Sequence, residues 1–252
     1  MSEPKTLLKK WRFGVVAFIC LAVMILIAWT PSRAPQNQGV AVKNRTASLQ
    51  VIGAVKEGND IRIRLKNISN KDINGYTLAL INGVTITQDY TEGDFVFPPG
   101  KIEETVIPAA TSSPSGEADL EQSITVLAAV FTDNSSEGDF KAAAEIKDRR
   151  RGIKKQLSRI IPLLRAALNA SDTDLPAKLS EFKSQILALP ERADNGLPRA
   201  VGHGLYDTKQ DLLLVIQKIE QSQQGQTTTD TQKLRKQLME ALRESEKKDS
   251  KL

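Results

Sequence analysis

The feature that most restricts how this chain can fold is a change in hydrophobic period along its length. Residues 60–66 alternate, with Ile61, Ile63 and Leu65 apolar and basic residues between them, as in a strand that buries one face. From Asp139 onward the apolar residues recur at spacings of three, four or seven, which favours amphipathic helices. The sequence therefore predicts an α+β fold, in which a β-rich segment precedes a helical one.

The β-rich segment, residues 47–135, contains about seven short runs of strand-forming residues separated by turn signals. Asn82-Gly83 lies between two of these runs and favours a two-residue hairpin, because both central positions of such a turn need positive φ. The spacing predicts an immunoglobulin-like β-sandwich. The predicted strands are residues 47–55, 60–66, 76–81, 84–88, 95–97, 103–107 and 123–131.

Two stretches of this segment resemble small immunoglobulin-like modules of bacterial membrane-anchored envelope proteins. In residues 53–70 a Gly-x-Val strand leads into the alternating strand, which ends in Asn67. In residues 97–107 the sequence Phe-Pro-Pro-Gly precedes a strand that contains Thr-Val-Ile. The resemblance covers about a third of the chain. It implies a scaffold whose fold does not by itself carry an activity.

The N-terminal region has the pattern of a membrane segment. Residues 13–29 are all apolar or Gly, and residues 1–12 contain Lys5, Lys9, Lys10 and Arg12. A helix of this length reaches about 26 Å, close to the hydrocarbon thickness of a bilayer. The pattern predicts a transmembrane signal anchor with a cytoplasmic basic flank and the bulk of the chain outside the cytoplasm, and residues 30–46 read as a tether. A cleaved signal peptide stays open as the alternative and also predicts export.

The helical segment, residues 139–220, predicts a hairpin or bundle. Asp139 can cap a helix that runs to about Asn169. Within this stretch, Pro162 should kink the helix or start a second one. A second helix should end before Pro190, a loop should follow over residues 191–204, and a third helix should begin at about Leu205. Residues 221–252 read as a polar linker and an exposed helical tail.

Composition excludes several functional classes. The chain has one Cys and one His, so it cannot form a disulfide framework or a zinc site built from several Cys and His. The single histidine, His203, lies in the predicted loop, and no nucleophile motif or phosphate-cradling glycine loop occurs. The sequence therefore predicts no catalytic residue, no metal ligand and no cofactor. Aromatic residues make up only 5%, which argues against base stacking and a nucleic-acid partner.

Charge is distributed unevenly, and one basic run is a candidate site. The net charge is +6 over residues 1–45, −6 over residues 46–135 and +5 over residues 136–252. A basic run near the start of the first helix predicts an anion- or partner-binding face, while an ordinary solvated helix face is the alternative. The candidate residues are Lys147, Arg150, Arg151, Lys154 and Lys155.

These features predict a non-enzymatic, membrane-tethered, extracytoplasmic binding or scaffold protein with an unidentified protein partner. The basic residues on the outward side of the alternating strand, Arg62, Arg64 and Lys66, offer a possible contact surface. One alternative is a module that binds anionic lipid or glycan through the basic helix. The other is an envelope hydrolase with a carboxylate site, because paired carboxylates far apart in sequence leave no motif.

Overall fold

The computed structural model describes residues 38–58, 60–80, 85–92, 95–108, 123–223 and 230–252, and residues 39–252 form one unit. The sheets contain β1 (Gln38–Gly39), β2 (Ala41–Asn44), β3 (Leu49–Glu57), β4 (Asp60–Asn67), β5 (Ile73–Leu80), β6 (Thr85–Asp89), β7 (Ile102–Pro108), β8 (Ser123–Phe131) and β9 (Ser136–Gly138). The helices are α1 (Phe140–Leu168), α2 (Leu175–Ala188), α3 (Arg199–Gln223) and α4 (Thr231–Ser250).

The strands form two sheets that pack face to face. The four-stranded sheet has the order β1-β3-β4-β7, and the five-stranded sheet has the order β2-β8-β5-β6, with β9 also paired to β8. Ile61, Ile63 and Leu65 of β4 are buried, so the predicted alternation is confirmed. They pack in one core with Tyr76 and Leu78 from the opposite sheet, which explains why each strand needs one apolar side.

The predicted Asp139 cap and the helix that follows it are confirmed. The Asp139 carboxylate accepts a hydrogen bond from the backbone N–H of Ala142 at 3.0 Å, which satisfies one of the free donors of the first turn. The helix α1 continues through Pro162 to Leu168, so no second helix starts at the proline. The helix α2 ends at Ala188, before Pro190, as the sequence predicted.

Helix α1 contributes apolar residues to cores near both of its ends. Near its N-terminus, Ala142, Ala143 and Ile146 pack with Ala128 and Val130 on the outer face of the five-stranded sheet. Toward its C-terminus, a second set packs with residues of α2, α3 and α4. That set comprises Ile160, Leu164 and Ala167. At 1.5 Å per residue the helix is about 44 Å long, long enough to serve both cores.

The fold class predicted from the sequence is corrected by this arrangement. That prediction joined a transmembrane helix to an immunoglobulin-like sandwich and a helical hairpin or bundle. The structure is an α+β unit, but one of its four described helices packs on a sheet, and its five-stranded sheet is mixed because β2 runs parallel to β8. Within the described ranges no helix is long and apolar enough to cross a membrane. The predicted basic flank, residues 1–12, and the predicted anchor, residues 13–29, lie outside those ranges.

Three segments differ from their predicted form. Residues 41–44 of the predicted tether form β2, since β8 offers them a pairing edge. The predicted loop over residues 191–204 ends early, because α3 begins at Arg199. The tail was predicted to be an exposed helix; it is helical, as α4, but it buries Leu234 and Leu238 against the other helices. Composition marked these segments as polar, but a few buried leucines suffice to hold a helix on a core.

Glycines set the distance between α1 and α3. A Cβ placed on Gly204 would lie 2.1 Å from the backbone oxygen of Arg149, and a Cβ on Gly152 would lie 2.1 Å from the backbone oxygen of Val201. Neither glycine has positive φ. They are therefore needed for the close approach of two helix backbones, and this is why Gly202-His203-Gly204 resembled a loop in the sequence.

We predict that Gly204→Ala destabilises the protein although alanine is the better helix former. Helix propensity alone favours alanine by about 1 kcal/mol. A Cβ 2.1 Å from the Arg149 backbone oxygen must separate the two helices, which places the cost at or above the upper end of the usual overpacking range, about 3 kcal/mol. Urea unfolding followed by circular dichroism measures the net effect. Gly53→Ala is the matched control, because a Cβ there meets nothing within 4 Å. A Gly204→Ala protein as stable as the wild type would contradict the close crossing.

Candidate functional site

Arg150, one of the five basic candidates, is buried and binds residues of its own chain. Its guanidinium and the Asp89 carboxylate are 6% and 2% exposed and lie 2.9 Å apart. The same guanidinium donates to the Asn74 side-chain oxygen at 3.0 Å and to the Asn74 backbone oxygen at 2.7 Å. The guanidinium N–H groups therefore bind acceptors at the end of β6 and in β5. Arg150 is thus a bridge between α1 and the sheet and not a surface anion site.

The sheet is shaped to admit this side chain. A Cβ on Gly75 would lie 2.9 Å from Nη2 of Arg150, so a larger residue in β5 would displace the guanidinium. Asp89 is held from the other side, because its Oδ1 accepts from the backbone N–H of Thr91 at 3.1 Å and from the Thr91 hydroxyl at 2.7 Å. The ion pair is therefore compensated by hydrogen bonds on both partners, as a buried pair requires.

The other four basic candidates do not converge on a common point. Lys147 donates to the Ser136 hydroxyl at 3.0 Å, and Arg151 pairs with Asp148 at 2.7 Å. Lys155 pairs with Asp194 at 2.6 Å, and this hydrogen bond lowers the pKa of Asp194 below its ordinary value. Lys154 is exposed. Acids pair with Arg150, Arg151 and Lys155, and the sequence could not show two of these pairings because Asp89 and Asp194 lie outside the run.

We predict that Arg150→Met strongly destabilises the protein, whereas Arg151→Met does not. Removing Arg150 leaves the Asp89 carboxylate buried without a counter-charge, which lowers the free energy of unfolding by about 3–5 kcal/mol. The exposed pair of Arg151 is worth about 0–1 kcal/mol. Chemical unfolding of both variants in the same buffer gives the comparison. Equal, small losses for the two variants would mean that Arg150 does not hold α1 on the sheet.

A groove of about 480 Å³ lies beside this bridge. Its walls come from three elements: β6, α1 and α3. The lining residues are Thr85 and Thr87–Asp89 of β6, Glu145, Ile146 and Arg149 of α1, and Ala200 and His203 of α3. Volumes of roughly 300–1,000 Å³ are typical of ligand sites. The groove is therefore large enough to hold a small ligand or a short stretch of a partner.

Contacts that are already made fix the three walls relative to one another. The Arg150–Asp89 pair ties α1 to the end of β6, and the glycine crossing sets α3 against α1. A third contact lies at the groove itself, where Nε and Nη2 of Arg149 donate to Oδ2 of Asp207 at 3.1 and 2.9 Å. The groove is therefore held open by a buried ion pair, a backbone contact and a charge-assisted hydrogen bond.

The groove offers polar groups without the contacts of a catalytic centre. His203 is an exposed residue of α3, and within the described part of the chain no hydrogen bond joins its imidazole to an acid or a hydroxyl. A general base needs such a partner within about 2.6–3.2 Å. The described residues contain no group of three or more His, Cys, Asp or Glu that could hold a metal ion. The arrangement can donate and accept hydrogen bonds and can attract one opposite charge.

A second polar cluster joins the two sheets. The Tyr90 hydroxyl donates to one oxygen of Glu103 on β7, the Tyr76 hydroxyl donates to the other at 3.5 Å, and Tyr76 also lies 2.5 Å from the Thr105 hydroxyl. Burial raises the pKa of Glu103, and the two tyrosine hydrogen bonds oppose that rise. Burial, with the nearby Glu103 charge, raises the pKa of Tyr76 to about 12. The cluster is therefore most stable when Glu103 is protonated.

We predict that this cluster makes stability fall with rising pH. A folded-state pKa above the unfolded value favours folding at low pH, and the contribution is lost as the pH rises from about 4 through the folded pKa. Glu103→Gln removes that titration. As the pH rises over this range, the free energy of unfolding of the variant should therefore increase relative to that of the wild type. Glu104→Gln, which removes a carboxylate from the outer face of the same strand, is the control. Parallel stability curves for wild type and Glu103→Gln would contradict the prediction.

No protein-family model, no curated protein and no solved structure matches this chain. The resemblance to immunoglobulin-like envelope modules therefore stays a prediction from residues 53–70 and 97–107. Among the polar groove residues, sequence reasoning singled out Arg149, as a member of the basic run, and His203, which it placed in a loop. Thr85 and Glu145 carry no sequence signal, because only the packing of α1 and α3 beside β6 brings them together.

Proposed function

We propose that this chain is a non-enzymatic binding protein whose partner occupies the groove between β6, α1 and α3. The observation that carries the proposal is the groove itself. Its walls, β6, α1 and α3, are distant in sequence and fixed by contacts with one another, and they present polar side chains that bind no other described residue. Glu145 and His203 make no hydrogen bond or ion pair with any other described residue, so they are available to a partner. A groove whose walls are already fixed favours binding, because association then costs little conformational entropy.

The proposal includes a location outside the cytoplasm. Its support is the apolar run over residues 13–29 behind the basic residues 1–12, a pattern that directs the following chain across a membrane whether or not the run is removed. The absence of cysteine from residues 38–252 fits either side of a membrane, since it leaves no thiol to oxidise.

The two alternatives predicted from the sequence have less support. Lipid or glycan binding through the basic helix would need converging cations, but Arg150 is buried and Arg151 and Lys155 are paired with acids. A hydrolase would need two carboxylates on one site. Asp89 is buried and bound to Arg150, which leaves Glu145 as the available carboxylate among the described residues that line the groove.

We predict that a photo-crosslinking amino acid at position 85 captures a partner in living cells. Thr85 is exposed and lines the groove, so replacing it with benzoylphenylalanine should not disturb the core. Position 64 is the control, because Arg64 is exposed on the four-stranded sheet. The expected result is a discrete adduct from position 85, identified by mass spectrometry in the extracytoplasmic fraction, with none from position 64.

Other outcomes count against the proposal. An adduct from position 64 alone would favour the surface of Arg62, Arg64 and Lys66 over the groove. Absence of adducts from both positions under conditions where the protein is intact would overturn the binding function. An adduct with a cytoplasmic protein would overturn the proposed location.

A further inference from the structure

The edge strand β6 has backbone groups that no described residue pairs. The order β2-β8-β5-β6 leaves β6 last in the five-stranded sheet, with β5 as its partner. A strand directs backbone N–H and C=O groups to both sides. In the part of the chain that the structure describes, those on the far side of β6 have no strand beside them. Unpaired groups of this kind form a template for another extended chain.

The sequence of β6 lacks the features that usually prevent such pairing. Proteins protect sheet edges with lysine, proline or charges along the strand. The edge strand of the other sheet, β7, contains Glu103 and Glu104 and ends at Pro108, and the edge strand β2 contains Lys43. In contrast, β6 reads Thr-Ile-Thr-Gln-Asp, and its only charge, Asp89, is engaged by Arg150.

The groove is bounded by this edge strand. Four of the five residues of β6, Thr85 and Thr87–Asp89, line it. Because successive strand residues point to opposite faces of a sheet, a groove that touches both Thr87 and Gln88 reaches the backbone of β6 or its edge. Five strand residues span about 17 Å. A peptide of about five to seven residues therefore matches the length of the edge.

The charge of the groove indicates the side chain that an occupant should carry. Arg149 faces Asp207, and Asp89 faces Arg150. Glu145 is exposed on the wall formed by α1, and no hydrogen bond or ion pair joins its carboxylate to another described residue. The charge left to a partner is negative, so a lysine or arginine is complementary to it.

We propose that the groove binds an extended peptide, which adds to the five-stranded sheet beside β6 and places a lysine or arginine against Glu145. The inference rests on the proposed function and names the chemistry of its partner. Backbone hydrogen bonds to β6 would supply affinity for any extended segment, and Glu145 would supply preference for a basic one.

The test uses the full-length protein and a library of seven-residue peptides with lysine at every second position. A matched library carries glutamate at those positions. The expected result is enrichment of lysine peptides. When a selected peptide is added to the protein, the changes in nuclear magnetic resonance chemical shift should be confined to β6 and to the groove residues of α1 and α3. Glu145→Gln should weaken the selected peptides by up to about fivefold, and Glu145→Lys should reverse the preference. Failure to enrich any lysine peptide over the glutamate library would overturn the proposal.

Backbone methylation of a selected peptide distinguishes strand addition from simple charge attraction. Methylating alternate amides that face β6 removes two donors and should weaken binding by about tenfold or more. Methylating the intervening amides should have little effect, because these face away from the strand. Equal effects of the two patterns would overturn strand addition. A partner captured at position 85 together with failed peptides would leave the binding function standing and overturn only this inference.

Discussion

The buried pair of Arg150 and Asp89 is the interaction on which the rest of the structure depends. It is the place where the first helix is tied to a specific strand, and apolar contacts alone would not fix that position. Hydrophobic packing is non-directional, so the contacts of Ala143 and Ile146 do not by themselves set the angle of the helix on the sheet. A guanidinium that must meet both Asn74 and Asp89 accepts one position and one angle. The groove exists because that angle is set.

The sequence was sufficient for elements whose signal is local. The alternation of Ile61, Ile63 and Leu65 and the Asp139 cap are properties of a few neighbouring residues, and both are confirmed. For segments that depend on distant partners, the packing partners were not predicted. Residues 41–44 become a strand because β8 lies beside them, and α4 is packed because other helices present an apolar surface to Leu234 and Leu238. Periodicity shows which face is apolar and not what covers it.

Arg150 illustrates the same limit for function. In the sequence it is one of six basic residues within nine positions. Its helical position near the apolar stripe, away from Arg151, does not reveal that it binds Asp89 and Asn74. In the structure the two arginines differ by one helical step of about 100°, which points one guanidinium at the sheet and the other at water. Charge density along a sequence therefore says little about a binding face until the acids that meet each cation are known. The groove shows the opposite situation. Most of its residues carry no functional signal individually, and they form a candidate site only because the fold brings β6, α1 and α3 together.

The shared helix α1 has a consequence for how this protein can change over evolutionary time. Its first turns belong to the core of the sheet, and its later turns belong to the core of the helices. A single inserted residue between Ile146 and Ile160 would rotate one half by about 100° against the other and point one apolar stripe into solvent. Such a helix tolerates insertions mainly in steps of about seven residues. The β-rich and helical parts therefore share one continuous helix, and replacing either part alone would leave an apolar stripe of α1 uncovered.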